Sequence, residues 1–147
     1  TFYAPVVYDG SLYIVPQGQA NRKDLRRILK QDLETFEQKE YALDQIAIYG
    51  VSVDSSAIYA ASNLNGQSFV SRIDRKNETV RTVIYDDCYI STVYVWQDKV
   101  YAFSEKGTDS VRKSTLRRME PGTLKEIDSV DISELGSVVY SAAGAEI

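Results

Sequence analysis

Apolar residues alternate with polar ones in short runs along most of this chain, and turn residues cut the runs at close intervals. A period of two is the mark of strands that bury one face. The first group of runs predicts strands at Tyr3–Tyr8, Leu12–Val15, Leu25–Gln31 and Phe36–Leu43. A second predicts Ala47–Val53, Ala57–Ala61, Ser68–Ile73 and Val80–Tyr85. A third predicts Ser91–Trp96, Lys99–Phe103, Thr115–Met119 and Leu124–Val130.

The groups echo one another about every 44 residues, a spacing marked by Thr35, Thr79 and Thr123. In each, a turn and an apolar–Tyr pair open the second strand: Asp9-Gly10 before Leu12-Tyr13, Ser55-Ser56 before Ile58-Tyr59, Gln97-Asp98 before Val100-Tyr101. Such turns suit hairpins. Before the fourth strand stand Asp32, Asp74 and Glu120, acids able to accept from turn N–H groups. The connections between second and third strands, Pro16 to Asp24, Ser62 to Gln67 and Ser104 to Ser114, read as longer polar loops of unequal length.

Repeats of roughly 40–45 residues built from short strands are the signature of β-propeller blades. The expected fold is all-β: about three consecutive four-stranded antiparallel blades, spanning about 2–44, 46–87 and 90–133, with the first strand of a fourth in 136–147. Closed propellers have about four to eight blades, so three point to part of a larger or oligomeric propeller. One segment competes with this reading. Between Asp24 and Ile46, apolar residues at Leu25, Ile28, Leu29, Leu33, Phe36 and Leu43 also fit a helix. The internal repeat favours strands there.

Composition narrows the function classes. The chain has 147 residues and a net charge of −4, with no histidine and a single cysteine, Cys88. An acidic balance argues against nucleic acid as a partner. Basic runs at Arg22-Lys23 and Arg112-Lys113 are diluted by neighbouring acids. One cysteine allows no internal disulfide, and the absence of histidine removes the commonest general base and metal ligand. No metal site, cofactor or catalytic residue is therefore expected within the chain. Eleven tyrosines suit half-buried strand faces. No apolar run is long enough to insert into a membrane as a helix, and no signal peptide opens the chain. Thr1 in place of an initiator Met reads as a processed or excised product.

The turn–apolar–Tyr motif and the Arg72-Ile73-Asp74…Thr79-Val80 turn resemble those of bacterial β-propellers of the YVTN/TolB-like and quinoprotein-like superfold. Kelch-type double glycines and WD40-type Trp-Asp dipeptides are absent, so no subfamily follows. In style the chain is similar to secreted or surface proteins of gut bacteria that handle glycans or siderophores. The resemblance implies a non-catalytic binding module outside the cytoplasm (periplasmic, surface-attached or secreted). It would recognise a glycan, a siderophore-like small molecule or a partner protein. The alternatives are a piece of a propeller lyase, hydrolase or quinoprotein whose catalytic residues lie in other blades, or a structural scaffold. Expected partners also include the remaining blades of the same propeller or a second copy.

Propellers bind at the face formed by the loops between second and third strands and between blades. Here those loops offer Arg22, Lys23, Asn63, Asn65, Asp109 and Arg112, with Asp86, Asp87 and Tyr89 from the inter-blade side. Trp96 is a candidate stacking platform, or else packs between blades. Two carboxylates at Asp86-Asp87 converge only if that segment is a turn. Cys88 reads as a small buried hydrophobe, and Asn77-Glu78-Thr79 matches a glycosylation sequon in an exposed turn.

Overall fold

The computed structural model of the chain describes residues 5–17, 22–43, 48–108 and 111–135. Among the described residues, twelve strands form three four-stranded sheets, each an antiparallel meander in chain order. The first holds β1 (Val6–Tyr8), β2 (Ser11–Ile14), β3 (Arg27–Asp32) and β4 (Gln38–Ala42). The second holds β5 (Ile48–Val53), β6 (Ala57–Leu64), β7 (Gln67–Asp74) and β8 (Val80–Tyr85). The third holds β9 (Tyr89–Trp96), β10 (Lys99–Thr108), β11 (Val111–Met119) and β12 (Glu126–Asp131). This is an all-β architecture of propeller-type blades, and the three sheets do not close into a ring. The only helical pieces among the described residues are two 3-10 turns, Lys23–Leu25 and Ser133–Leu135.

The segment with helix-like spacing is therefore two strands, β3 and β4. Ile28, Tyr41 and Leu43 go to the core, whereas Leu33 and Phe36 sit exposed in the intervening turn. The spacing of those last two carried no helical meaning. Residues 136–147, where a fourth blade was expected to begin, lie outside the described residues.

Turn chemistry sets the registers. Asp9-Gly10 and Gln97-Asp98 take positive φ at both positions, as a two-residue hairpin with right-handed strand twist requires. The second sheet uses a side chain instead. Asp54 Oδ1 accepts the N–H groups of Ser56 and Ala57, both at 2.8 Å.

The turns joining third and fourth strands share one backbone pattern in all three sheets. The N–H of Asp32, Asp74 and Glu120 bonds the carbonyl of Glu37, Thr79 and Lys125, each at 2.9 Å. The fifth residue, Phe36, Glu78 or Leu124, lies in the left-handed region. Strand β4 consequently begins at Gln38, and β12 at Glu126, later than the expected Phe36 and Leu124. The register also corrects the threonine echo. Thr35 and Thr123 are matched by Asn77, not Thr79: Thr35 Oγ1 accepts the N–H of Glu37 and Thr123 Oγ1 that of Lys125, both at 3.2 Å. Asn77 Oδ1 accepts that of Thr79 at 3.0 Å.

In the second and third sheets the connections between second and third strands are shorter than expected. Strands β6 and β7 run on to Leu64 and Gln67, joined by Asn65-Gly66 at φ 51° and 82°. Asn-Gly is the strongest two-residue hairpin signal, and the run of polar residues around it had obscured it. Strands β10 and β11 likewise extend to Thr108 and from Val111. Asn63 and Arg112 are thus strand residues.

The core lies between sheets. Neighbouring side chains on β6 serve opposite interfaces, as a pleated strand dictates. Ile58 and Ala60 join Tyr13, Val15, Ile28 and Ile48 between the first and second sheets. Ala57, Tyr59 and Ala61 join Val70, Ile90, Val93 and Val100 between the second and third. Two serines tie the second sheet to the strand that enters the third: Ser52 Oγ accepts the N–H of Val95 at 3.0 Å, and Ser68 Oγ that of Ile90 at 3.1 Å.

Candidate functional site

The chain leaves the second sheet at Tyr85, crosses through Asp86-Asp87-Cys88 and enters the third at Tyr89. This crossing forms one wall of a groove of about 460 Å³ on the seam of the two sheets. Asn63, Gly66 and Ser68 line its second-sheet side; Glu105, Lys106 and Gly107 line the side of the third.

The crossing is a bend rather than a strand, which is the condition under which its two acids could share a site. They do not share one. Asp86 is bound by the Gln67 side-chain amide on β7, whereas Asp87 pairs with Lys106 on β10 at 3.2 Å. Each carboxylate is anchored to a different sheet, so the pair straddles the seam. Lys106, first by its hydrogen bond and then by its charge, holds the Asp87 carboxyl below the ordinary carboxylate range. Beneath them Ser68 is buried; its hydroxyl donates to Asn63 Oδ1 while accepting the Ile90 N–H. The groove floor is thereby a polar relay joining the two sheets.

Cys88 is half-buried at the base of the crossing and packs against the core between the second and third sheets. Burial pushes its thiol pKa up, opposed in part by the charge of Arg117. That guanidinium is itself held. Its Nε donates to Ser104 Oγ at 3.0 Å, its Nη1 to Glu126 at 3.1 Å, and it lies 5.2 Å from the centre of the Tyr85 ring.

Of the residues singled out in the sequence, the structure brings Asn63, Asp86, Asp87 and Tyr89 to this groove. Asn65 takes the first position of the hairpin whose Gly66 lines the rim. Arg112 is one step removed, on β11, with its Nη1 3.4 Å from Glu105. Arg22 and Lys23 belong to the first sheet's 3-10 turn, where Arg22 pairs with Asp24, and neither lines the groove. Trp96 is at the far end of β9, 60 % exposed, its ring 6.5 Å from that of Tyr101. It cannot act with the other candidates, because β9 runs away from the crossing. Asp109 lies outside the described residues.

The sequence reading missed Gln67, Ser68, Glu105 and Lys106. Gln67, Glu105 and Lys106 are strand residues that the over-long expected loops took in without marking them, and Ser68 reads as an ordinary strand residue. It also missed a second groove, of about 540 Å³, at the opposite end of the first seam, lined by Lys30, Lys39, Tyr41, Arg75 and Lys76 among others. There Lys39 bridges the two sheets to Glu78 at 3.0 Å and lies over the Tyr41 ring. No group of three metal-ligating side chains is found among the described residues.

No family model matches this sequence, and no curated protein matches it. Solved structures do share the fold. An acylaminoacyl peptidase in complex with Z-Gly-Gly-Phe-chloromethyl ketone superposes with a TM-score of 0.65 at 13 % identity, over 88 % of this chain and 25 % of that one. Acylaminoacyl peptidase from Pyrococcus horikoshii, in an orthorhombic crystal form, gives 0.63 at 15 % identity, over 88 % and 24 %. The chain spans about a quarter of the length of these structures.

Proposed function

We propose that the chain is the binding part of a propeller-type protein and that the groove at Asp86-Asp87 receives the ligand. The observation that carries this reading is the placement of opposite hydrogen-bonding groups across one seam: carboxylates at Asp86 and Asp87, the Lys106 ammonium and the Asn63 amide. Groups of this kind recognise hydroxyls and amides, as in a glycan or a peptide. Nothing in the groove is arranged as a nucleophile with its base, since its thiol is raised rather than activated. A siderophore-like chelate or a protein loop fits the same chemistry. A setting outside the cytoplasm belongs to the proposal through the resemblance alone.

Titration of the chain with a panel of neutral and acidic glycans, ferric chelates and peptides, read by calorimetry, tests it. Binding that weakens at least tenfold in both Lys106→Ala and Asp87→Asn supports the groove. Binding unchanged in both variants, or none across the panel, sinks it.

A second reading is favoured by the comparisons. Both structural neighbours bear the name of a peptidase, and this chain corresponds to about a quarter of each. The chain would then be a propeller segment of a larger enzyme. The groove would steer or exclude substrates there while the chemistry lies elsewhere. Turnover of an acylated peptide by a longer protein containing this segment, and not by the segment alone, would support that reading.

A further inference from the structure

Lys30 on β3 stands directly opposite Lys39 on β4, at the turn end of the face that meets the second sheet. Like charges in that relation destabilise a sheet. The matching places in the other two sheets meet the charge from within. The second sheet also sets Arg72 opposite Arg81, but gives Arg72 an acid, Asp74, at 3.5 Å. The third sets Arg118 opposite Asp128, with Nε donating to Oδ1 at 2.8 Å. In the first sheet Lys39 reaches across the seam to Glu78 at 3.0 Å, and Lys30 makes no ion pair with a described residue.

The two lysines form one wall of the groove of about 540 Å³ on the first seam. The other wall is made by turns of the second sheet and carries Ser55, Ser56, Arg75 and Lys76. Four cations thus line the groove against one carboxylate, Asp74, in a chain whose net charge is −4. Arg75 is held by neutral groups. Its Nη1 donates to the carbonyls of Asp54 and Ser55 at 2.9 and 3.2 Å, and its guanidinium lies 5.1 Å from the centre of the Tyr8 ring. None of these partners cancels its charge. Lys76, like Lys30, makes no ion pair with a described residue. The acceptors beside these cations are already engaged. Asp32, two residues beyond Lys30, takes the N–H groups of Glu34 and Thr35. Asp74 takes two turn N–H groups and Arg72, and the amide oxygen of Asn77 takes the N–H and hydroxyl of Thr79. What the groove has left to offer is donors and positive charge.

We infer that this groove binds a tetrahedral oxyanion, a phosphate or sulfate group, as the free ion or as an ester. Ammonium and guanidinium groups hold such anions through charge-assisted hydrogen bonds. The oxygens of a tetrahedral anion point outward on all sides, so one group can meet cations on both walls. Those of a carboxylate face one way and would serve a single wall. The inference does not rest on the groove at Asp86-Asp87, which lies on the other seam, and either can fail without the other.

Titration of the chain with sodium phosphate, sulfate and acetate at fixed ionic strength, followed by amide shifts in 15N NMR, tests it. Phosphate and sulfate should give saturable shifts concentrated at Lys30, Lys39, Ser55, Arg75 and Lys76, at least tenfold tighter than acetate. Lys30→Gln/Lys76→Gln should weaken phosphate binding at least tenfold. Lys30→Glu should abolish it and raise the thermal melt in a buffer without phosphate or sulfate, because a carboxylate then faces Lys39 as Asp128 faces Arg118. A raised melt with lost binding separates a lost site from a lost fold. Glucose 6-phosphate tells the sources apart: tighter binding than the free ion supports an ester, and equal or weaker binding supports the ion. Shifts that never saturate, an equal response to acetate, or full phosphate affinity in the double variant would each overturn the inference. Binding of poly-glutamate without binding of phosphate would overturn it too, and would make the groove an acidic-peptide surface.

Discussion

Asp74 Oδ1 accepts the N–H of Asn77 at 3.1 Å, and that of Lys76 at 2.9 Å, closing the turn between β7 and β8 with a side chain. Asp32 does the same in the first sheet, taking Thr35 at 2.8 Å and Glu34 at 2.9 Å. These N–H donors hold both carboxyls below the ordinary range, chiefly Asn77 for Asp74 and Thr35 for Asp32. A depressed folded pKa stabilises the fold above the unfolded value of about 3.9 and ceases to do so as pH falls through the folded value. Stability of the chain should therefore fall below about pH 4. Thermal melts between pH 7 and pH 2 check this. In Asp32→Asn/Asp74→Asn the acid limb should be flatter than in the native chain, and an unchanged limb would remove the turns from its cause.

Gly107 frames the groove from β10 with φ at 115°, a conformation that L residues rarely adopt. A Cβ there would stand 2.1 Å from the carbonyl oxygen of Val111. Gly107→Ala should cost about 1–3 kcal/mol for the backbone conformation alone, and the clash adds to it. It should also loosen Lys106 from Asp87. Chemical denaturation gives the stability change. A variant as stable as the native chain would show that the β10–β11 hairpin relaxes freely.

The echo along the sequence was readable because every sheet must solve the same two problems: a tight turn into its second strand and a capped turn into its fourth. Asp32 and Asp74 were identified as acceptors of turn N–H groups on that logic, and they are. Period counting failed where two side chains do one job. The amide oxygen of Asn77 stands in for a threonine hydroxyl, so an even spacing of threonines aligned Thr79 two residues out of register. The groove suffered from the opposite error. Asn63 and Gln67 fall in an expected polar loop, although Asn65-Gly66 between them makes a tight hairpin and keeps both on strands. What no local pattern could show is that Gln67 and Lys106 hold Asp86 and Asp87 apart, since those contacts span nineteen residues each.

Ile58 and Met119 test whether the seams are separate units of stability. Both are fully buried, Ile58 between the first and second sheets and Met119 between the second and third. Ile58→Ala and Met119→Ala should each cost about 2–5 kcal/mol. Hydrogen exchange distinguishes them: the first should speed exchange most in β2 and β3, the second in β9 to β11. Equal acceleration across all three sheets in both variants would mean that the chain unfolds as one unit.

Cys88 offers a probe of the groove that needs no ligand. Its thiol pKa is pushed up, mainly by burial, and the Arg117 charge pulls it partly back. The thiolate is the reactive form, so at pH 8 the native chain should alkylate more slowly than a free cysteine. Arg117→Gln removes the opposing charge, so the midpoint of the rate-against-pH curve should move higher still. Losing Arg117 also frees Glu126 and uncovers the Tyr85 ring, which would ease access and raise the plateau rate at high pH. Measuring the whole profile with a small neutral alkylating agent separates the two effects, since access scales the curve and charge shifts it. A midpoint that falls in Arg117→Gln would contradict the electrostatic role of Arg117 beneath the crossing.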